Sequence, residues 1–209
     1  MIRPPGFDGA AFGTARDGNG RDDATARRTI SAGLGISTEW AFLSQVHGDR
    51  VVEAAAPGLL GEADGAFTTV AGLPLTVATA DCVPLILEGA GVAAVVHAGW
   101  RGAAAGVLRR TRDAIAAAGH SLTRAAIGPA IGPCCYEVGD EVAALFPGFT
   151  THTTWGTRSV DLPGYLAAQL ADLTVWRSNV CTFTAGTLHS WRRDQTPHRQ
   201  VAVAWLPSD

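Results

Sequence analysis

From Trp40 onward the chain is a succession of short apolar runs cut by Gly, Pro, Asp and Asn, and runs of that length read as strands. The pattern predicts strands at Trp40–Val46, Arg50–Ala54, Gly65–Thr69, Leu75–Ala80, Pro84–Leu87 and Val92–His97, with two more at Ala125–Ile127 and Val201–Leu206. Apolar spacing switches to the helical period in Gly102–Ala118, where Val107, Leu108, Thr111, Ile115 and Ala118 share a face and Gly119 follows as a stop. Further helices are expected at Ala24–Leu34, at Gly139–Phe146 ahead of Pro147, and at Leu162–Leu173, where Pro163 suits a first turn. Strands and helices do not alternate regularly, so the expected class is α+β, with layered sheets covered by helices.

Length and composition narrow this further. A chain of 209 residues with 47% hydrophobic and 17% charged residues supports an ordered core, and residues 1–209 are expected to form one domain. Residues 1–35, rich in Gly, Asp and Arg, carry the weakest pattern. A net charge of −3 lacks the basic footprint of nucleic-acid binding. All 16 basic residues are arginine, which rules out Schiff-base lysine chemistry and a P-loop. The longest apolar runs fall well short of the roughly 20 residues needed to cross a bilayer, and Met1–Gly20 lacks the apolar core of a signal peptide. A cytoplasmic protein without a membrane partner is therefore expected, in which Cys82, Cys134, Cys135 and Cys181 stay reduced.

Three segments place reactive side chains at strand ends next to turns: Gln45-Val46-His47-Gly48, Ala80-Asp81-Cys82 and His97-Ala98-Gly99-Trp100-Arg101-Gly102. Each alone has an ordinary structural reading, as a packed strand end or an inert thiol. Together His47, Cys82 and His97 offer the two imidazoles and one thiolate of a catalytic zinc site with an open fourth position. Arg101, at the start of the following helix, is the candidate anion ligand. Asp81 is a candidate general acid or base, or equally a group orienting a ligand histidine. Cys135 could line the same cleft and Glu137 could hydrogen-bond a ribose hydroxyl, both as substrate-binding candidates, whereas Cys134 reads as part of a tight turn. His120, His152, His189 and His198 read as surface residues.

In this order QVHG, ADC-x-P, HAGWRG and IGPCCYEVG resemble the YfiH-type family, strongly from Gln45 to Val138 and more weakly through Val160-Asp161-Leu162 to Asp194. Members of that family carry the labels polyphenol oxidase or laccase domain, purine nucleoside phosphorylase and peptidoglycan editing factor. The resemblance implies a zinc site at His47, Cys82 and His97, with copper as the alternative ion. It also implies the family's α+β fold, of the type shared with cytotoxic-necrotizing-factor-like cysteine hydrolases. Phe12–Ile30 keeps only an Asp- and Arg-rich stretch of the family pattern, and Leu188–Gln195 departs from its usual aromatic-rich ending.

The leading expectation is a zinc-dependent purine nucleoside phosphorylase acting on adenosine, inosine or methylthioadenosine with phosphate, with adenosine deaminase activity as an addition. The deaminase signature, His-x-Glu with a later Pro-Cys-x-x-Cys, is absent. A cysteine hydrolase editing peptidoglycan precursors, with Cys82 as nucleophile, uses the same residues. A metal-binding scaffold without catalysis is a third reading. Phenol oxidation stands last, because one N/N/S site cannot supply a multicopper relay.

Overall fold

The computed structural model describes residues 1–208. Two sheets pack face to face, with helices on their outer sides. The five-stranded sheet has the order β1-β13-β6-β2-β4, formed by β1 (Ala10–Phe12), β13 (Gln200–Ala204), β6 (Leu75–Thr79), β2 (Ala41–Ser44) and β4 (Gly58–Glu62). The six-stranded sheet has the order β12-β9-β7-β8-β5-β3, formed by β12 (Thr174–Arg177), β9 (Leu122–Ile127), β7 (Val83–Gly89), β8 (Val92–Ala98), β5 (Gly65–Thr68) and β3 (Val51–Glu53). A separate hairpin pairs β10 (Thr150–His152) with β11 (Arg158–Val160). The α+β class with layered sheets is thus the observed one.

The two-residue period of the strands sorts their side chains into distinct cores. Along β8, Val92, Ala94, Val96 and Ala98 face the helices, while Ala93 and Val95 face the other sheet. Strand β7 divides in the same way, with Val83, Leu85 and Leu87 toward the helices and Ile86 toward the other sheet. The layer between the sheets is rich in alanine, from Ala10, Ala41, Ala66, Ala93, Ala126, Ala202 and Ala204, which lets the two backbones approach closely. On the far side of the five-stranded sheet, Ile30 of α1 (Ala24–Leu34) packs with Trp40, Val201 and Val203. Asp23 caps α1 by accepting from the Thr25 and Ala26 amides, and Gly35 ends it in the left-handed region.

Several elements differ from the sequence pattern, each for a local reason. The expected helix Gly102–Ala118 is two helices, α2 (Trp100–Ala105) and α3 (Val107–Ala117), divided at Gly106 with φ +88°. The helix expected at Gly139–Phe146 is reduced to α4 (Asp140–Ala143), and that at Leu162–Leu173 to α5 (Leu162–Ala168). Strands β1, β4, β10, β11 and β12 and the short helix α6 (Trp191–Asp194) have no counterpart in the expected pattern. Shortness hides β1, and Gly, Thr or Arg content hides the others, since their order comes from pairing with neighbours.

No helix among the described residues is long and apolar enough to cross a membrane. The tight alanine layer yields a test. Ala93→Leu forces extra methylenes between the sheets and is expected to cost about 1–3 kcal/mol. A lowered urea midpoint at unchanged m-value would confirm this, and an unchanged midpoint would show that the sheets have room there.

Candidate metal centre at the seam of the two sheets

The seam between the sheets brings the three predicted segments together. His47 lies just after β2, Cys82 between β6 and β7, and His97 on β8. Strand parity places His97 with Ala93 and Val95, on the side facing the other sheet. One ligand-capable atom of each of His47, Cys82 and His97 lies within 4.8 Å of the others. The two imidazole rings meet edge to face, with centroids 4.8 Å apart. Gly99 closes the back of the cluster, because a Cβ there would stand 2.8 Å from His47 Cδ2 and 3.0 Å from the Cys82 sulfur.

Asp64, fully buried between β4 and β5, organises this arrangement. Its carboxylate accepts from the backbone amides of Val46 (3.2 Å), His47 (3.0 Å) and Gly48 (2.7 Å). The same carboxylate lies 2.7 Å from His97 Nδ1, and the Asp64 carbonyl accepts the His97 amide. Holding Nδ1 leaves Nε2 of His97 for the cluster, the carboxylate–histidine arrangement found behind metal-ligating imidazoles. The three amide bonds also fix His47 at φ +61°, a left-handed backbone uncommon for a side-chain-bearing residue. This turn ends the expected strand Trp40–Val46 at Ser44.

Asp81, with φ +89°, is the second strained residue at the site. Its carboxylate accepts from Thr182 Oγ1 at 2.6 Å and from the Arg192 amide at 2.7 Å. It therefore ties the C-terminal region to the turn that carries Cys82. Orientation of a cluster histidine, one of the two roles expected for Asp81, is supplied at His97 by Asp64.

Electrostatics favour the ionised thiol. Burial pushes the Cys82 thiol up, but the His97 and His47 imidazoles outweigh it and bring its pKa to about 6. Burial opposes a charged His97, yet the Cys82 sulfur and the Asp64 carboxylate raise it to about 9. A soft donor set with a preformed thiolate and a carboxylate-anchored imidazole fits a metal ion.

A cavity of about 440 Å³ opens onto the cluster. Its walls carry Arg21, Arg192 and Arg199, the aromatic residues Tyr136 and Trp191, and Asp81. Arg101 is exposed, with its guanidinium 4.2 Å from the Trp100 ring centroid, and it does not line this cavity. Nor do Cys135 and Glu137. Cys135 is buried against Cys134 and Cys181, and the Glu137 carboxylate accepts from Trp155 Nε1 and Thr157 Oγ1. Asp64, Tyr136, Trp191, Arg192 and Arg199 were not found from sequence. Trp191 and Arg192 do lie in the segment where the chain departs from the family pattern.

A two-histidine, one-thiol centre at the seam of a two-sheet α+β sandwich defines a metal-capable protein of the YfiH type. The chain belongs to the family described as multi-copper polyphenol oxidoreductase laccase, whose profile matches residues 4–207. It is 36% identical to a purine nucleoside phosphorylase of Mycobacterium tuberculosis, over 98% of this chain and 88% of that protein. With a purine nucleoside phosphorylase of Streptomyces griseus it shares 39% identity, over 79% of this chain and 73% of the relative. The crystal structure of YlmD from Geobacillus stearothermophilus matches with a TM-score of 0.82 at 28% identity, covering 100% of this chain and 98% of that one. The Bacillus licheniformis protein YfiH shares the fold with a TM-score of 0.84, at 24% identity over 94% of this chain and 92% of that one.

Two tests follow from the geometry. Asp64→Asn keeps the shape but removes the charge behind His97, and metal affinity is expected to fall about 10–100-fold, as read by chelator competition. In metal-free protein the thiolate–imidazolium pair sets a pH window. The Cys82 contribution to stability is complete above the ordinary thiol value of 9.0 and is lost as pH falls through about 6. The His97 contribution is complete below its ordinary 6.5 and is lost as pH rises through about 9. Because each shift depends on the partner's charge, the Cys82 gain also fades once His97 loses its proton. Stability relative to Cys82→Ala is therefore expected to peak between about 6 and about 9, and a flat difference across that range would refute the pair.

Proposed function

We propose that this protein is a purine nucleoside phosphorylase, with zinc held by His47, Cys82 and His97 and with inosine, adenosine and methylthioadenosine as its substrate class. The observation that carries the proposal is the His47–Cys82–His97 cluster opening into a cavity walled by arginine and aromatic side chains. The relatives named purine nucleoside phosphorylase, aligned over nearly the whole chain, support it.

Phosphorolysis requires a held phosphate, a positioned nucleoside and stabilisation of the departing base. The cavity offers Arg192 and Arg199 for the phosphate. Arg192 uses Nη1 on the Glu137 carbonyl, and Arg199 uses Nη1 on the Thr196 and His198 carbonyls, so the rest of each fork is free for an anion. Arg21 is more fully engaged, with Asp22 and Gln45. The anion role expected of Arg101 thus passes to Arg192 and Arg199. The guanidinium groups of Arg192 and Arg199 lie over the rings of Tyr136 and Trp191, and the exposed Trp191 ring offers its remaining surface to a purine. Bound zinc would supply Lewis acidity at an open coordination position. Asp64 keeps His97 oriented, and Asp81, with both oxygens occupied, acts as a positioning residue for the Arg192 segment. Nothing at the site favours deamination, which is not part of the proposal.

A second reading rests on one specific observation. Asp64, His97 and Cys82 stand in the order of orienting carboxylate, base and nucleophile, with a thiol whose pKa is lowered to about 6. That order suits a cysteine hydrolase acting on peptidoglycan precursors.

Zinc-loaded protein is expected to release hypoxanthine and ribose 1-phosphate from inosine only when phosphate is present. Cys82→Ala should reduce this turnover by about 10²-fold or more, the scale for losing a main electrostatic stabiliser. Arg192→Ala should raise the phosphate KM by about tenfold, the worth of one charged hydrogen bond, with little change for inosine. Absence of phosphate-dependent base release would overturn the proposal. Release of an amino acid from a muramyl precursor by chelator-treated protein would establish the hydrolase instead.

A further inference from the structure

A second cluster of soft ligands lies apart from the first. Cys134, Cys135 and Cys181 bring their three sulfurs within 4.8 Å of one another. The Cys134 and Cys135 sulfurs are 3.3 Å apart, although neighbouring side chains normally diverge. Ala130 and Cys181 form an isolated parallel bridge, which fixes the third thiol against this turn. Gly132 leaves the space, since a Cβ there would meet the sulfurs of Cys134 at 3.4 Å and Cys181 at 3.6 Å. Cys134 and Cys181 open onto a cavity of about 280 Å³, which gives an ion a route in.

The surroundings favour one thiolate, that of Cys181. Burial and the neighbouring sulfurs push the Cys134 thiol up and that of Cys135 up to about 12, so an ion that binds all three sulfurs must displace those two protons. The Gly132 amide donates to the Cys181 sulfur at 3.2 Å, and the Phe183 and Thr184 amides also stabilise its thiolate. Arg193 binds the carbonyls of Thr182, Phe183 and Ala185, which holds a guanidinium on the turn that carries Cys181. Among the described residues no imidazole or carboxylate completes the group. A closed structural zinc site takes four ligands, whereas an all-thiolate set of three suits a soft monovalent ion.

We propose that Cys134, Cys135 and Cys181 form a second metal site, of three thiolates, that takes Cu(I). The site adjoins the first cavity through the chain, one residue away from groups that line it or hold its lining. Cys135 precedes Tyr136, and Cys181 precedes Thr182, which holds Asp81. An ion bridging these sulfurs would clamp together the two segments that position Tyr136 and Asp81.

The test uses reduced full-length protein, with Cu(I) delivered anaerobically from a bicinchoninate complex. A Cys82→Ala background removes the thiol of the first site. That variant is expected to retain a tightly bound Cu(I) with an all-sulfur shell by X-ray absorption, and Cys134→Ser or Cys181→Ser added to it should abolish binding. In the wild type, whose fold is not altered, Cu(I) should also shield Cys134, Cys135 and Cys181 from alkylation, as mapped by peptide mass. Nitrogen in the shell of the Cys82→Ala protein, binding that survives loss of Cys181, or unshielded thiols would each overturn the site.

Discussion

The buried Asp64 carboxylate is the interaction on which the rest of the site depends. Four donors converge on it, three backbone amides from the turn at His47 and the imidazole of His97. Burying a carboxylate is costly unless each lone pair finds a donor, and here the donors come from two separate segments. Burial pushes the Asp64 carboxyl up, but His97 and the amides of Gly48 and Val46 outweigh it and keep it ionised. One side chain thus offsets its own desolvation by fixing a left-handed turn and the orientation of an imidazole. Without it, both histidines would lose their relation to Cys82.

The sandwich explains why those segments can meet. His47 follows a strand of one sheet, His97 belongs to the other, and Cys82 lies on the turn that crosses between them. A cluster of side chains drawn from both sheets requires that the sheets be close and that their separation not vary. The alanines of the shared layer meet this requirement, because small side chains leave neither depth nor freedom between the backbones. Core packing and site geometry are therefore one constraint, seen most directly at Gly99, where a single methyl group would push His47 and Cys82 apart.

Much of this was legible in sequence, and the illegible part has a common cause. The central strands β5 to β8 could be read because apolar side chains fill both their faces, and His47, Cys82 and His97 because each stands at the end of such a run beside a turn. Asp64 could not be read in this way. It sits in an ordinary Glu-Ala-Asp-Gly turn, and its importance arises from partners 16 to 33 residues away. The arginines of the cavity were equally hidden. Arg101 has the right local setting, at the head of a helix, but points onto Trp100, whereas Arg192 and Arg199 reach the cavity only because the C-terminal segment folds back over it. Periodicity reports burial, and it does not report where a polar side chain finds its partner.

That returning segment also shows how a short, irregular stretch is held over a site. Helix α6 has only four residues and no buried side chain, so packing cannot hold it. Its order comes from polar anchors. The Asp81 carboxylate accepts the Arg192 amide, Ser190 caps the helix by accepting from the Arg193 amide, and Arg193 spans the carbonyls that follow Cys181. Because Asp81 is adjacent to Cys82, the anchor that places Arg192 in the cavity is continuous with the turn that carries Cys82. A shift in that turn would therefore reach Arg192 through one carboxylate, so the arginine-bearing wall of the cavity and the His47–Cys82–His97 cluster are coupled.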